Sequence, residues 1–175
     1  MADNRAEGRG GENELVITRV FDAPREIVFD AFITPEHLAQ WWGPTGCTVA
    51  MCETDPRVGG KWRLAMRSPR ALPKFAIRYP SEGESDERWI IEKQSGEYIE
   101  VARPERLVFT YAFEGDGGRL VNQTIVTIEF FEEANGRTRL SLRQAVFESV
   151  TARDDHVVGW NEAMDHLAGH LARLG

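Results

Sequence analysis

A change of hydrophobic period near residue 152 constrains this chain more than any other feature. Before it, apolar residues alternate. Leu107, Phe109, Tyr111 and Phe113 interleave with Val108, Thr110, Ala112 and Glu114, the pattern of a half-buried strand. After it, Val157, Trp160, Asn161, Met164, Leu167, Ala168 and Leu171 fall on one stripe of a helix. Roughly 20 helical residues span about 30 Å, enough to lie across a sheet of six or seven strands. The period change thus predicts an α+β chain in which an antiparallel sheet comes first and one long amphipathic helix closes it.

The segments upstream fill in that plan. Leu15 to Phe21 is rich in β-formers; Asp22-Ala-Pro24 then offers a capping residue and a proline to open a short helix over Arg25 to Ile33. Thr34-Pro35 repeats the start signal for a second short helix to about Gln40, which Trp41-Trp42-Gly43-Pro44 ends. Strands are expected over Cys47 to Thr54 and Lys61 to Arg67, the latter turning Trp62, Leu64 and Met66 to one face. Arg88 to Glu92 and Tyr98 to Val101 read as two further stretches of strand whose inward parity stays open. Thr124 to Phe131 and Thr138 to Phe147 form a hairpin, because Asn135-Gly136 between them suits the positive φ of a tight turn.

Residues 1 to 13 are polar and glycine-rich and read as a loose tail before a single domain over residues 14 to 175. Residues 68 to 93, with Pro69, Pro73 and Pro80, read as an extended hairpin insertion in which Lys74 to Tyr79 offer a little strand. A net charge of -7 and the want of a long apolar run argue against nucleic-acid and membrane partners. The two cysteines, Cys47 and Cys52, point to opposite faces if they share a strand; with no apolar leader near the N-terminus, a reducing, cytoplasmic location is expected. Pro56 to Ser81 is uniformly basic, and Glu82 to Glu100 is strongly acidic. The two blocks read as hairpin arms with opposite charges facing, or as a basic stripe for an anionic partner.

Phe21-Asp-Ala-Pro-Arg-Glu-Ile-Val-Phe-Asp-Ala-Phe32 and Pro35-Glu-His-Leu-Ala-Gln-Trp-Trp-Gly-Pro44 resemble the opening of the START-like (SRPBCC) superfamily, in particular its heat-shock protein 90 ATPase activator homologue family. Gly59 to Arg67, Pro104 to Tyr111 and Gly159 to Leu167 resemble its later blocks. The resemblance implies a helix-grip fold, a curved sheet wrapped around the C-terminal helix with a ligand cavity between them. It carries little about function. Binding of a small hydrophobic or aromatic molecule in the cavity, a protein-interaction module like the chaperone activator, and a cyclase- or hydrolase-like enzyme all stay open.

The expected ligand-binding set is Trp42, Trp62, Leu64, Met66, Phe109, Tyr111, Gln144, Trp160, Asn161 and Met164. Large side chains must fill the gap between a curved sheet and one helix, so core and cavity wall draw on the same residues. Tyr111, Gln144 and Asn161 are the polar candidates; Gln144 is in phase with Leu140 and Leu142, and Asn161 borders the helix stripe. The Trp41-Trp42 pair either walls the pocket mouth or locks its helix to the core. His166 and His170 have a metal-like spacing, but their place off the apolar stripe reads as an exposed polar face, so no metal and no cofactor are expected. Asp154, Asp155 and His156 read as a helix start. No phosphate loop, nucleophile elbow or Cys-x-x-Cys pair occurs, so catalytic residues are unknown and enzyme status stays open, leaning against turnover.

Overall fold

A computed structural model describes residues 11–70, 80 and 85–175. The first ten residues of the expected tail, and 71–79 and 81–84 of the expected insertion, lie outside the described residues. Alternation is visible in β1 (Glu14–Phe21), where every second residue from Leu15 is buried. Two short helices follow, α1 (Arg25–Ile33) and α2 (Pro35–Trp41). Neither is capped as the sequence suggested. Pro24 itself occupies the N-cap of α1, and Thr34 at the N-cap of α2 makes no side-chain bond. Proline's fixed φ starts both helices without a capping oxygen.

The chain then runs through β2 (Thr48–Thr54), β3 (Lys61–Pro69), β4 (Trp89–Ala102), β5 (Arg106–Glu114), β6 (Leu120–Glu133) and β7 (Arg137–Ala145). All pairings are antiparallel, in the order β1-β7-β6-β5-β4-β3-β2. Adjacent elements in sequence thus pair, and the first strand is zipped to the last. The hairpin at Asn135 and Gly136 has φ of 63° and 67°, the positive values expected. Where the sequence suggested two stretches, β4 is one strand of 14 residues. Its outer residues and those of β3 absorb both ends of the expected excursion. Register shifts interrupt the β2–β3, β4–β5 and β5–β6 ladders, and such bulges bend a sheet.

Opposite charges do face each other across the described arms. Lys61 on β3 pairs with Glu97, its direct partner on β4. Arg63 forks onto Glu114 of β5 at 2.7 and 2.9 Å. Arg67 lies 4.4 Å over the ring of Trp89. These exposed pairs contribute at most about 1 kcal/mol each.

The closing helix is α3 (Val150–Leu174), 25 residues and therefore about 37 Å long. It starts earlier than Asp154-Asp155-His156 suggested, because the Ser149 side chain accepts a bond from Ala152 N at 3.1 Å. Two contacts pin it to the sheet. Trp160 Nε1 donates to Gln144 Oε1 of β7 at 2.7 Å, and Gln144 Nε2 donates to Thr124 Oγ1 of β6 at 2.8 Å. Arg19 of β1, only 5% exposed, reaches Asp165 at 2.8 Å and Asn161 at 3.2 Å. His170 is not on an exposed face: it is 6% exposed, and its Nε2 lies 2.9 Å from Nδ1 of His37 on α2. The period placed it off the apolar stripe, and α2 covers that side of the helix. Among the described residues no group of three metal-ligating side chains occurs, and no helix is long and apolar enough to cross a membrane.

Gly96 on β4 shows how tightly the centre of the sheet is built. It pairs with Trp62 of β3, whose indole crosses β4 and donates to Thr110 O of β5 at 3.0 Å. A Cβ at Gly96 would stand 1.7 Å from that oxygen and 2.4 Å from the indole nitrogen. Backbone cannot yield as a flexible side chain can. Gly96→Ala is therefore expected to destabilise the protein by about 3 kcal/mol or more in urea unfolding; a loss under about 1 kcal/mol would show that β4 and β5 move apart freely.

Candidate functional site

The helix does not lie evenly on the sheet. Among the described residues, α3 comes close to the backbones of β1 and α2, and stands off β3, β4 and β5. Side chains fill part of the space that results, and a cleft of about 560 Å³, counted out to its mouth, is left. The volume open to the centre of a water-sized sphere is about 70 Å³. At about 10–15 Å³ for one water, that is several waters' worth, or one small organic molecule.

Each wall follows from local structure. Trp42 ends α2, and Gly43, at φ +99°, turns the chain so closely over Met66 that a Cβ there would meet the sulfur at 2.6 Å. From the sheet come Met66, then Glu92 and Gln94, which share the inward face of β4, then Tyr111 and Phe113 of β5. From α3 come Asp155, His156, Gly159, Trp160 and Ala163, which share one helical face at spacings of three to five. The rings meet at Trp42, which stacks on Tyr111 at 6.2 Å and 24° and meets Trp160 edge-on at 5.2 Å. Such pairs add about 0.5–1.5 kcal/mol beyond their burial.

Polar groups in the cleft are ordered by a short relay. Trp42 Nε1 donates to Gln94 Oε1 at 2.9 Å, and Gln94 Nε2 donates to Glu92 Oε1 at 3.0 Å. Glu92 is 2% exposed. Tyr111 lines the same space and is 5% exposed. Burial pushes its phenol well above 10, and the Glu92 charge adds to that. Burial also raises both thiols, Cys52 to about 11, so neither cysteine supplies a thiolate near neutral pH.

The ten residues named from sequence divide three ways. Trp42, Met66, Tyr111 and Trp160 line the cleft. Trp62, Leu64 and Phe109, again with Trp42, surround a smaller apolar gap with room for about one water. Gln144, Asn161 and Met164 line neither: Gln144 is held between Trp160 and Thr124, Met164 is fully buried, and Asn161 turns away to Arg19 and to Val157 O. Of the tryptophan pair, Trp41 is the lock, its indole donating to Ala31 O at 3.0 Å, while Trp42 is the wall. The sequence reading missed Glu92 and Gln94. Tyr98, the large aromatic four residues after Gln94 and inward with it, was the available signal for that parity.

The profile of the family described as Activator of Hsp90 ATPase homolog 1-like protein matches residues 22–172. The chain belongs to this family. The helix-grip fold expected from the sequence is thereby confirmed together with its family. The family's solved structures include the AHSA1 protein of Silicibacter pomeroyi, 25% identical over 93% of this chain and 99% of that one, with a TM-score of 0.72. A Chromobacterium violaceum protein is 26% identical over 91% and 96%, with a TM-score of 0.69. One from Rhodobacter sphaeroides, at 23% identity, 97% and 99% coverage and a TM-score of 0.73, shares the fold. A comparison with curated proteins finds no match.

The two buried phenols give the site a pH signature. Burial raises Tyr98 as it does Tyr111, so both folded values lie above the ordinary value of 10. Their contribution to stability is complete below pH 10 and is lost as the pH climbs from 10 toward the folded values, because the unfolded chain releases these protons first. Phenolate absorbance of the native protein is expected to show no more than one of the three tyrosines ionising near pH 10, the other two appearing only with unfolding. Two or more ionising reversibly near pH 10 would place one of these rings in water.

Proposed function

We propose that this protein binds a small apolar or aromatic molecule in the cleft beneath α3. What supports the reading is the cleft itself, a space for one small molecule walled by Trp42, Tyr111, Phe113 and Trp160, with the Gln94 amide ordered on its sheet side. Aromatic walls with a few convergent polar groups are the usual make-up of a small-molecule site. The competing reading is a protein-interaction module of the chaperone-activating kind carried in the family's name.

The indole N–H signals separate the two. Trp42 and Trp160 donate to Gln94 and Gln144 and have rings on the cleft, whereas Trp41 donates to Ala31 O away from it. Titration with indole or phenol is expected to give saturable NMR shifts at Trp42 and Trp160 and none at Trp41. No shift at either would make the cleft a packed core and turn the search to partner proteins.

Gly159 tests the same reading from the fold's side. It lines the cleft, and a Cβ there would meet only Pro44, at an ordinary 3.9 Å. Gly159→Ala is expected to stabilise α3 by about 0.5–1 kcal/mol while weakening ligand binding several-fold. Unchanged affinity in the better-folded variant would move the ligand elsewhere.

A further inference from the structure

Resting on the binding site proposed above, we infer that residues 37–45 form a strap across the cleft, clasped to α3 at both ends, and that acid undoes one clasp and so releases the ligand. Three of the cleft's wall residues, Trp42, Gly43 and Pro44, lie on this strap. At one end Nδ1 of His37 lies 2.9 Å from Nε2 of His170. At the other, Thr45 N donates to Glu162 Oε2 at 3.0 Å, and Thr45 Oγ1 lies 3.2 Å from Nε2 of His166. Glu162, His166 and His170 follow one another at intervals of four, so a single face of α3 carries both clasps. The spacing of His166 and His170 thus serves the strap. Between the clasps Trp42 meets Trp160 edge-on, and Pro44 lies beside Gly159.

The two clasps answer to protons differently. A hydroxyl accepts as well as donates, so Thr45 keeps its bond whether His166 is neutral or charged. Two imidazoles share a hydrogen bond only while one of them has a free lone pair. The first proton leaves that bond in place, and the second turns both facing nitrogens into donors. The surrounding charges do not relieve the clash. Arg173 on α3 adds positive charge, Glu36 beside His37 on α2 is exposed to water, and Asp30 on α1, which feels the His37 charge, is already forked onto Arg103. Burial, the His37 charge and Arg173 together hold His170 below the ordinary 6.5. A base lowered in this way gives its full stability above that ordinary value and loses it as the pH falls toward the folded one, because the unfolded chain takes up the proton first. The His37–His170 clasp is therefore closed at neutral pH and opens in acid, in the range where histidine acts as a switch.

Phenol is uncharged at both pH 7.5 and pH 5, so its affinity reports on the protein alone. Calorimetric titration of the full chain is expected to show binding at least about fivefold weaker at the lower pH. His37→Asn puts an amide where Nδ1 stood, which bonds neutral or charged His170 without taking a proton, and its affinity is expected to agree within about twofold at the two pH values. His170→Gln does the same from the helix side and serves if His37→Asn lacks a native circular dichroism spectrum. Effects of His156, Glu92 and Asp155, which line the cleft itself, are common to all these chains and cancel in the comparison. Wild-type affinity that ignores pH, or an equal fall in the variant, would overturn the inference. If phenol binds at neither pH, the binding reading falls and NMR decides the strap: the Trp42 indole N–H signal should move or broaden in acid in the wild-type chain and hold still in the variant. A wild-type signal that holds still overturns the strap as well.

Discussion

The structure depends on how α3 is fastened to the sheet. A helix resting on a curved sheet has no preferred seat from apolar packing alone, since burial is non-directional. Directional contacts supply one. Trp160, Gln144 and Thr124 form a buried chain from α3 through β7 to β6, and Arg19 of β1 reaches Asp165 and Asn161 one turn further along. Arg19 is expensive to bury, and its Nε has no hydrogen-bond partner among the described residues. A buried charge that is only partly satisfied adds little net stability, but it sets position, because any slide of α3 would strip its remaining bonds.

The cleft is the other side of that fastening. With α3 drawn toward β1 and α2, its backbone stands off β3, β4 and β5, and side chains such as His156, in ring contact with Tyr111 and Phe113 of β5, reach across. Aromatic side chains close most of the distance. Trp42 is central, in ring contact with Trp41, Trp62, Tyr111 and Trp160, and it lines both the larger cleft, which carries the polar groups, and the smaller apolar gap. Its indole N–H also starts the relay that orients Glu92. One residue thus links the packing of α2 to the electrostatics of the cleft.

Family membership supports the fold across nearly the whole chain, and it leaves function to the site. The same helix-grip frame accommodates different chemistry according to what its cavity walls carry. In this chain those walls combine aromatic rings with the buried Glu92 and the half-buried Asp155.

By itself the sequence determined the order and type of the elements, because residue periodicity and turn chemistry are local. The change of period marked α3, Asn135-Gly136 marked the last hairpin, and the prolines at the starts of α1 and α2 marked where they begin. Local patterns also placed Trp42, Met66, Tyr111 and Trp160 among the candidates, since large apolar residues in phase must face inward. Tertiary structure decided the rest. Glu92 and Gln94 sit in a strand with polar residues on both faces, so alternation did not mark its inner side. Asn161 lay in phase with the cleft, yet Arg19, a residue 142 positions away, claimed it. His170 looked exposed until α2 folded over it and His37 met it. Which neighbour a side chain meets across the fold is a long-range fact, and no local period encodes it.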